Sequence, residues 1–457
     1  LTIKLLPFQE ADVKKLTNSG LPYALIMNDM GTGKTFEASA IDVSLKTSKP
    51  TLVVAPLSVL SHWEDHFKLI TPNVRRIDPK KRELFLKQDA EVYIMHWDAL
   101  RLMPELAKVK WGHVIADECH RAQNKKAAQT IALKKLQAEF RTAMSGTPYT
   151  TTPDKLWSIL NWLDKREYRA YGRFRKEFIL WAEDRYGYVK ILKPNEAEAL
   201  GRGPEQRYKE KKLQQRIAPF SVRHLKEEVT PDLPEKYYST IQVELAPAQR
   251  RAYESMKKQM LSWIGEHEDQ PLTSSIVVVQ HQRMQQFADA CMTMRNGKAF
   301  MMHPSAKIDA AIELIMDHPD EQFVFFSQFS QMINLFDNAL AAKGISHSKL
   351  TGETPQKLRG GLVRRFQEGE TRIFSSTIKA GGVGITLTSA NKVAFFDRQH
   401  PPAANEQAED RLHRIGQKNA VQVIDFMARD TIDRTRKDQL EISWAWFRRV
   451  LAPEHFS

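Results

Sequence analysis

Short apolar runs, each closed by a polar or small cluster, recur through the first third of the chain: Leu21–Met27, Thr51–Ala55, Glu91–His96, His113–Ala116 and Arg141–Met144. Helical spacing fills the stretches between them. From Leu1 to Pro148 the pattern therefore predicts strand and helix in alternation, a parallel sheet with helices on both faces. A second series between Pro304 and Ser457 repeats it, with candidate strands Phe323–Phe326, Ser346–Leu350, Arg372–Ser375, Lys392–Phe396 and Val421–Phe426. The expected fold class is α/β, with two parallel-sheet lobes and helical insertions. In open sheets of this kind ligands bind beyond the carboxyl ends of the strands, so the clusters that close the runs should converge on one crevice per sheet.

Between Thr150 and Arg223 the alternation stops. Leu156, Trp157, Ile159, Leu160 and Leu163 fall at helical spacing and read as core. Asn195–Pro204, with Gly201, Gly203 and Pro204, reads as a loop. Tyr237–His303 reads as one strand, Ser239–Leu245, followed by a helical, methionine-rich stretch through Met284, Met292 and Met294, where methionine fills gaps in a core.

The first cluster is Asn28–Thr35, NDMGTGKT. Strand, glycine loop, helix is the setting of a phosphate cradle: Gly31 and Gly33 let the backbone of Met30–Gly33 curl inward, Lys34 reaches the β- and γ-phosphates, and the Thr35 hydroxyl ligates magnesium. The full pattern asks for glycine where Asn28 stands, and an ordinary glycine turn is the competing reading. Asp117–Glu118, after the fourth strand, supplies two adjacent carboxylates, Asp117 for magnesium through its water shell and Glu118 for the attacking water. Alone, such a pair more often complements a helix dipole. Gln407, Asp410, Arg411 and Arg414 lie at helical spacing and share a face, where two arginines can fork on phosphate oxygens or form a solvated basic surface.

Charge narrows the partners. The 457 residues carry 68 Lys and Arg against 55 Asp and Glu, a net +13 that invites a polyanion such as nucleic acid, although runs such as Arg202–Lys212 and Lys165–Lys176 are by default solvated faces. Two cysteines, Cys119 and Cys291, exclude a disulfide framework or zinc cluster and fit a reducing compartment, whether bacterial cytosol, virus-infected cell or nucleus. No apolar run approaches about eighteen residues and no signal or lipidation pattern is seen, so a soluble protein with no membrane partner is expected. The chain begins at Leu1 rather than methionine, which suggests a trimmed chain and leaves open whether flanking domains are missing.

The order GTGKT, VVAPLSVLSHW, DECHRAQN and SGTP, then FFSQF, LTGET, AGGVGITLTSA and QAEDRLHRIGQ, resembles the Swi/Snf-type ATPases of helicase superfamily two over nearly the whole chain. The AEDR spelling is similar to a distant branch that includes annealing helicases. Their phosphate loop, DEMGLGKT, also lacks the first glycine. The resemblance implies two RecA-like lobes: residues 1–235 with a helical insertion at about 150–222, and 236–457 with an insertion at about 246–303 and a C-terminal helix, hinged near Pro231 and Pro234. It further implies ATP and Mg2+ as cofactors, Gln9 reading adenine, and Gly384 and Gln407 at the nucleotide. Arg411 and Arg414 would act as arginine fingers brought in by lobe closure. Double-stranded DNA is the implied partner, held by phosphate contacts from Pro56, Leu57, Ser58, Ser327, Gln328, Thr377 and Lys379, with little sequence preference. A monomer is expected, with a further protein partner left open. Two departures stand out: Cys119 replaces the usual Ala or Gly, and His400-Pro401-Pro402 replaces the usual Trp-Asn-Pro, an aromatic associated with DNA coupling. A strand-separating DNA or RNA helicase and a nucleotide-gated recruitment module with little turnover remain the alternatives.

Overall fold

A computed structural model describes the chain except for residues 1–3, 83–88, 150, 184–188, 231, 267–273, 296–297, 383–384, 401, 415, 453, 455 and 457. Side chains are further left undescribed at 260–266, 274–278, 294–295 and 298. The chain divides into two compact units, Leu1–Pro231 with Ser443–Ser457, and Asp232–Ile442.

The first unit is built on β1 (Tyr23–Ile26), β2 (Thr51–Ala55), β3 (Val74–Arg76), β4 (Val92–His96), β5 (Lys110–Asp117), β6 (Gln137–Met144) and β9 (Ser221–Val222). They form one sheet in the order β3-β4-β2-β5-β6-β1-β9, every pairing parallel. Successive strand residues serve opposite faces, as the two-residue period requires. Leu25, Leu52 and Val54 enter one core layer with Leu156, Ile159 and Leu160. Ala24, Ile26, Val53 and Ala55 enter the other with Val13, Leu16, Ile41, Trp63 and Phe67. Burial on both faces explains why these strands read as unbroken apolar runs rather than alternating ones.

The second unit repeats the plan with β10 (Lys236–Val243), β13 (Phe323–Ser327), β14 (His347–Leu350), β15 (Ile373–Thr377), β16 (Lys392–Phe395) and β17 (Val421–Ala428). Their order is β10-β17-β16-β13-β15-β14, again all parallel. Phe325 packs with Phe336, Phe396 and Phe426 on one face, the nearest ring centroids 4.7 Å apart, while Phe326 and Phe395 meet on the other. At the rim of the first layer Lys307 is fully buried, its Nζ 2.8 Å from both Asp289 and Asp433 and 2.6 Å from the Phe396 carbonyl. Such a charge tolerates burial only because its three donors are all used.

Three expectations change. Asn195–Pro204 is mostly not a loop: Pro194–Ala199 is a helix and Gly203–Ile217 the next. Both prolines sit in first turns, where the missing N–H costs nothing, and Glu196 Oε2 accepts from the Lys193 N–H at 3.0 Å. Met292 and Met294 lie not on a helix but in an antiparallel hairpin, β11 (Cys291–Arg295) with β12 (Lys298–Met302). A second hairpin, β7 (Trp181–Glu183) with β8 (Val189–Ile191), interrupts the first helical insertion. The two units divide in the chain at Pro231/Asp232, and the end of the last helix, Ile432–Val450, belongs with the first unit. There Trp446, Phe447, Val450 and Leu451 are buried, and the Trp446 indole N–H donates to Glu210 at 2.7 Å.

Candidate nucleotide site and nucleic-acid interface

In the first unit the predicted clusters do converge, because the parallel strands β1, β2, β5 and β6 all end at one edge of the sheet. Gly31 and Gly33 have φ of +81° and +87°, the left-handed region that glycine adopts without strain. Gly33 caps the helix Lys34–Leu45, so the cradle sits on a helix N-terminus. Lys34 Nζ donates to the Asn28 and Asp29 carbonyls at 2.7 and 2.8 Å, and the Thr32 hydroxyl donates to the Asp29 carbonyl at 2.8 Å. Gln9 is buried against the loop. Its amide N–H donates to the Thr32 carbonyl at 2.8 Å and its Oε1 accepts from the Leu6 N–H at 2.8 Å.

Asn28 has a physical reason to be there. Its fully buried side-chain amide donates to Asp12 at 2.9 Å and to Glu37 at 2.8 Å, while its oxygen accepts from the His224 N–H at 2.8 Å. Glycine could make none of these bonds. Burial and then the neighbouring Asp12 push Glu37 up to about 8, whereas the Asp12 hydrogen bond raises His224. Arg223, also buried, donates to the Met27 carbonyl at 2.6 Å and the Gly146 carbonyl at 3.2 Å and pairs with Asp29 at 3.0 Å. The basic segment after β9 thus clamps the cradle to the Ser145–Thr147 turn. A Cβ on Gly146 would lie 3.3 Å from the Asn28 carbonyl, which shows how closely the two backbones approach.

Asp117 and Glu118 end β5 at the same edge. The Trp63 indole N–H donates to Asp117 Oδ2 at 2.9 Å, and Trp97 donates to the Asp117 carbonyl at 2.8 Å. Glu118 has φ +51° and accepts from the Ser145 hydroxyl at 3.0 Å, with His120 Nδ1 at 3.3 Å. Desolvation alone would raise it, but the His120 hydrogen bond and charge, then Lys34 and Ser145, bring it down to about 2. Asp117, desolvated and beside the Glu118 charge, is pushed up to about 6. Both carboxylates are therefore mostly ionised at neutral pH, Glu118 the more completely, and Glu118 is placed to orient a water through its accepting oxygens. Thr35 and Asp117 offer hard oxygen donors, the kind Mg2+ takes alongside phosphate and water. Among the described residues no group of three or more His, Cys, Asp or Glu side chains could hold a metal by itself. Of the segment after β2, Pro56 is buried while Leu57 and Ser58 are exposed.

In the second unit Ser327, Gln328, Thr377 and Lys379 follow β13 and β15 at their carboxyl ends. Ser327 is fully buried and its hydroxyl donates to Asp397, which also accepts the Gln328 N–H at 2.9 Å. Ser327 is thus directed inward; Gln328 is half-buried and Lys379 exposed. Thr377 caps the short helix Ile378–Gly381, its hydroxyl accepting from the Ala380 N–H at 3.4 Å. Gly384 and Pro401 lie outside the described residues.

The arginine segment departs from a continuous helical face. The helix Ala403–Glu409 carries Gln407 and stops, with Asp410 as its C-cap and a turn through Arg411–Arg414. Arg411 donates to the Gln407 carbonyl at 3.1 Å and the Ile385 carbonyl at 3.4 Å, and Arg414 to the Thr386 hydroxyl at 3.0 Å. Both guanidinium groups therefore address the Ile385–Thr386 segment, Arg411 through a carbonyl and Arg414 through a hydroxyl. Behind the turn Glu409 is buried among Lys236 Nζ at 3.1 Å, the Tyr238 hydroxyl at 3.0 Å and Arg398 Nη1 at 2.5 Å, and His413 bonds the Pro234 carbonyl at 2.7 Å. Sequence reasoning missed Asp12, Glu37, Asp397 and Glu409, because each acquires its role from partners that no motif or helical spacing links to it.

Comparison with known proteins adds the family. A model described as SNF2-related domain matches residues 16–304, and one described as helicase conserved C-terminal domain matches residues 306–416. The chain belongs to the SNF2-related family. This SNF2-related chain is 29% identical over 422 residues to an uncharacterized ATP-dependent helicase of Mycoplasma pneumoniae, covering 90% of the chain and 38% of that relative. It is 28% identical to the putative ATP-dependent helicase/translocase YwqA of Bacillus subtilis, covering 94% and 48%, and 25% identical to the transcription regulatory protein SNF2 of Saccharomyces cerevisiae, covering 90% and 25%. It spans less than half the length of each of these relatives. Among solved structures, the Sulfolobus solfataricus SWI2/SNF2 ATPase core in complex with dsDNA is 24% identical with a TM-score of 0.46, covering 98% of this chain and 97% of that one.

Proposed function

We propose that this SNF2-related chain is a DNA-dependent ATPase that couples hydrolysis of ATP to movement along double-stranded DNA. The observation that carries the proposal is the convergence on one sheet edge of a two-glycine cradle, Lys34 and the Asp117–Glu118 carboxylates. In this reading the cradle N–H groups and Lys34 bind the phosphates, and Glu118 orients water for attack on the γ-phosphorus. Gln9 holds the cradle in shape from the adenine side. Thr35 and Asp117 would hold Mg2+, which when bound neutralises phosphate charge. Arg411 and Arg414 stabilise charge on the departing phosphoryl group, a role worth roughly three to five powers of ten in comparable systems.

Leu57, Ser58, Gln328 and Lys379 contact the phosphate backbone, giving binding that weakens with salt and reads little sequence, whereas Pro56 and Thr377 are buried and shape the surface from behind. Ser327 supports this surface through Asp397 rather than touching DNA. Movement along a duplex need not separate its strands. The test is displacement of a third strand from a triplex, run beside unwinding of a blunt-ended duplex. Third-strand displacement that needs ATP and is lost in Glu118→Gln supports translocation. Robust unwinding of the blunt duplex assigns the chain to the strand-separating helicases instead.

A further inference from the structure

A cationic cleft lies toward the amino end of β6, the end of the strand away from the nucleotide cluster. Lys134, Lys135 and Leu136 immediately precede β6 and Arg141 stands midway along it, whereas Ser145–Thr147 and the cradle lie beyond the carboxyl ends of the strands. Together with Asn161, Trp162 and Lys165 they line a cleft of about 340 Å³. That volume is in the range of small-ligand pockets.

Four of the lining side chains are cationic and none is a carboxylate. The polar groups are almost all donors. Arg141 Nε and Trp162 Nε1 are buried without a hydrogen-bond partner, a condition that native proteins rarely leave unexplained. Asp164 acts on Arg141 by its charge but hydrogen-bonds neither donor: it accepts the Tyr23 hydroxyl at 3.0 Å and the Arg166 and Glu167 N–H groups at 2.9 and 3.0 Å. The one amide oxygen in the lining, on Asn161, already accepts from Lys134 Nζ at 2.8 Å. Lys134 also lies 4.6 Å from the centroid of the Trp157 ring. Burial, then the charge of Lys125, brings Lys134 down to about 8, so a bound anion would relieve an ammonium that is otherwise disfavoured.

We propose that this cleft binds a phosphate ester, its phosphate held by Arg141, Lys134 and Lys165 and its uncharged portion resting on Ile131, Leu136 and Leu163. The site stands independently of the ATPase assignment. The phosphate can belong to a small sugar phosphate or to a nucleic-acid backbone, and the same side chains serve either.

The test uses the full chain carrying Lys34→Ala, so that binding at the cradle does not obscure the cleft. Ribose 5-phosphate and a short DNA duplex are titrated by calorimetry against this protein and against versions that also carry Arg141→Gln or Lys165→Ala. Lys165 is exposed, so its replacement keeps the test valid even where the Arg141 variant folds poorly. Loss of a charge-assisted bond of this kind weakens binding roughly tenfold or more. Weakening of ribose 5-phosphate in either folded variant establishes a small-molecule site. Weakening confined to the duplex assigns the phosphate to a DNA backbone. Unchanged affinity for both probes, or no binding of either by the Lys34→Ala protein, overturns the proposal.

Discussion

Replacing Gly33 by alanine attacks the cradle in two separable ways. At φ +87° a side chain is strained by about 1–2 kcal/mol. The new Cβ would also lie 2.5 Å from Gln9 Nε2, so Gln9 must withdraw and surrender its bonds to Thr32 and Leu6. Each such bond contributes about 0.5–1.5 kcal/mol net. The two effects together disfavour the binding-competent loop by about 2–5 kcal/mol, which weakens ATP binding by roughly 30-fold or more at tenfold per 1.4 kcal/mol. Fluorescent ATP-analogue titrations of Gly33→Ala, Gln9→Ala and the double variant separate the parts. Because Gln9→Ala removes the steric conflict as well as the bonds, the double variant should lose less than the two single losses combined, by about 1 kcal/mol or more. Strict additivity, or near-native binding by Gly33→Ala, refutes the clamp.

Glu118→Gln should retain ATP binding while turnover falls by roughly two to four powers of ten, read as kcat against Kd. Lys307→Met leaves Asp289 and Asp433 buried without their cation and should destabilise the second unit by about 3–5 kcal/mol in denaturant melts, with the first unit's transition unchanged. Glu409 predicts an acid transition. Desolvation opposes its ionisation, yet Lys236 and Arg398 hold it near 2, below the ordinary 4.5. Its stabilisation is therefore complete above about pH 4.5 and is lost as pH falls toward 2. In Glu409→Gln this acid-dependent step in the second unit's stability should disappear.

Elements that bury both faces of a parallel sheet were legible because their apolar runs need no partner to be recognised. Thr51–Ala55 is a strand with the expected bounds, and Lys392–Phe396 differs by one residue. The glycine turn through Gly31 and Gly33 and the strand that ends at Asp117 were legible for a similar reason, since each is a local feature of its own stretch of chain. What escaped was non-local or ambiguous. His224 meets Asp12 across 212 positions, and neither residue signals the other in a linear reading. The Cys291–Met302 hairpin was hidden by methionines, which suit a helix as well as a strand. The helical face expected from Gln407 to Arg414 ends at Glu409, whose carboxylate is held by Lys236, Tyr238 and Arg398, partners that the local spacing does not reveal.

The measurement that bears most directly on the central claim is steady-state ATP hydrolysis without nucleic acid and with double-stranded DNA, single-stranded DNA or RNA, beside Lys34→Ala and Arg414→Ala. A DNA-coupled translocase predicts strong stimulation by duplex DNA, abolished in both variants. Equal rates in all four conditions, or hydrolysis that persists in Lys34→Ala, would contradict it.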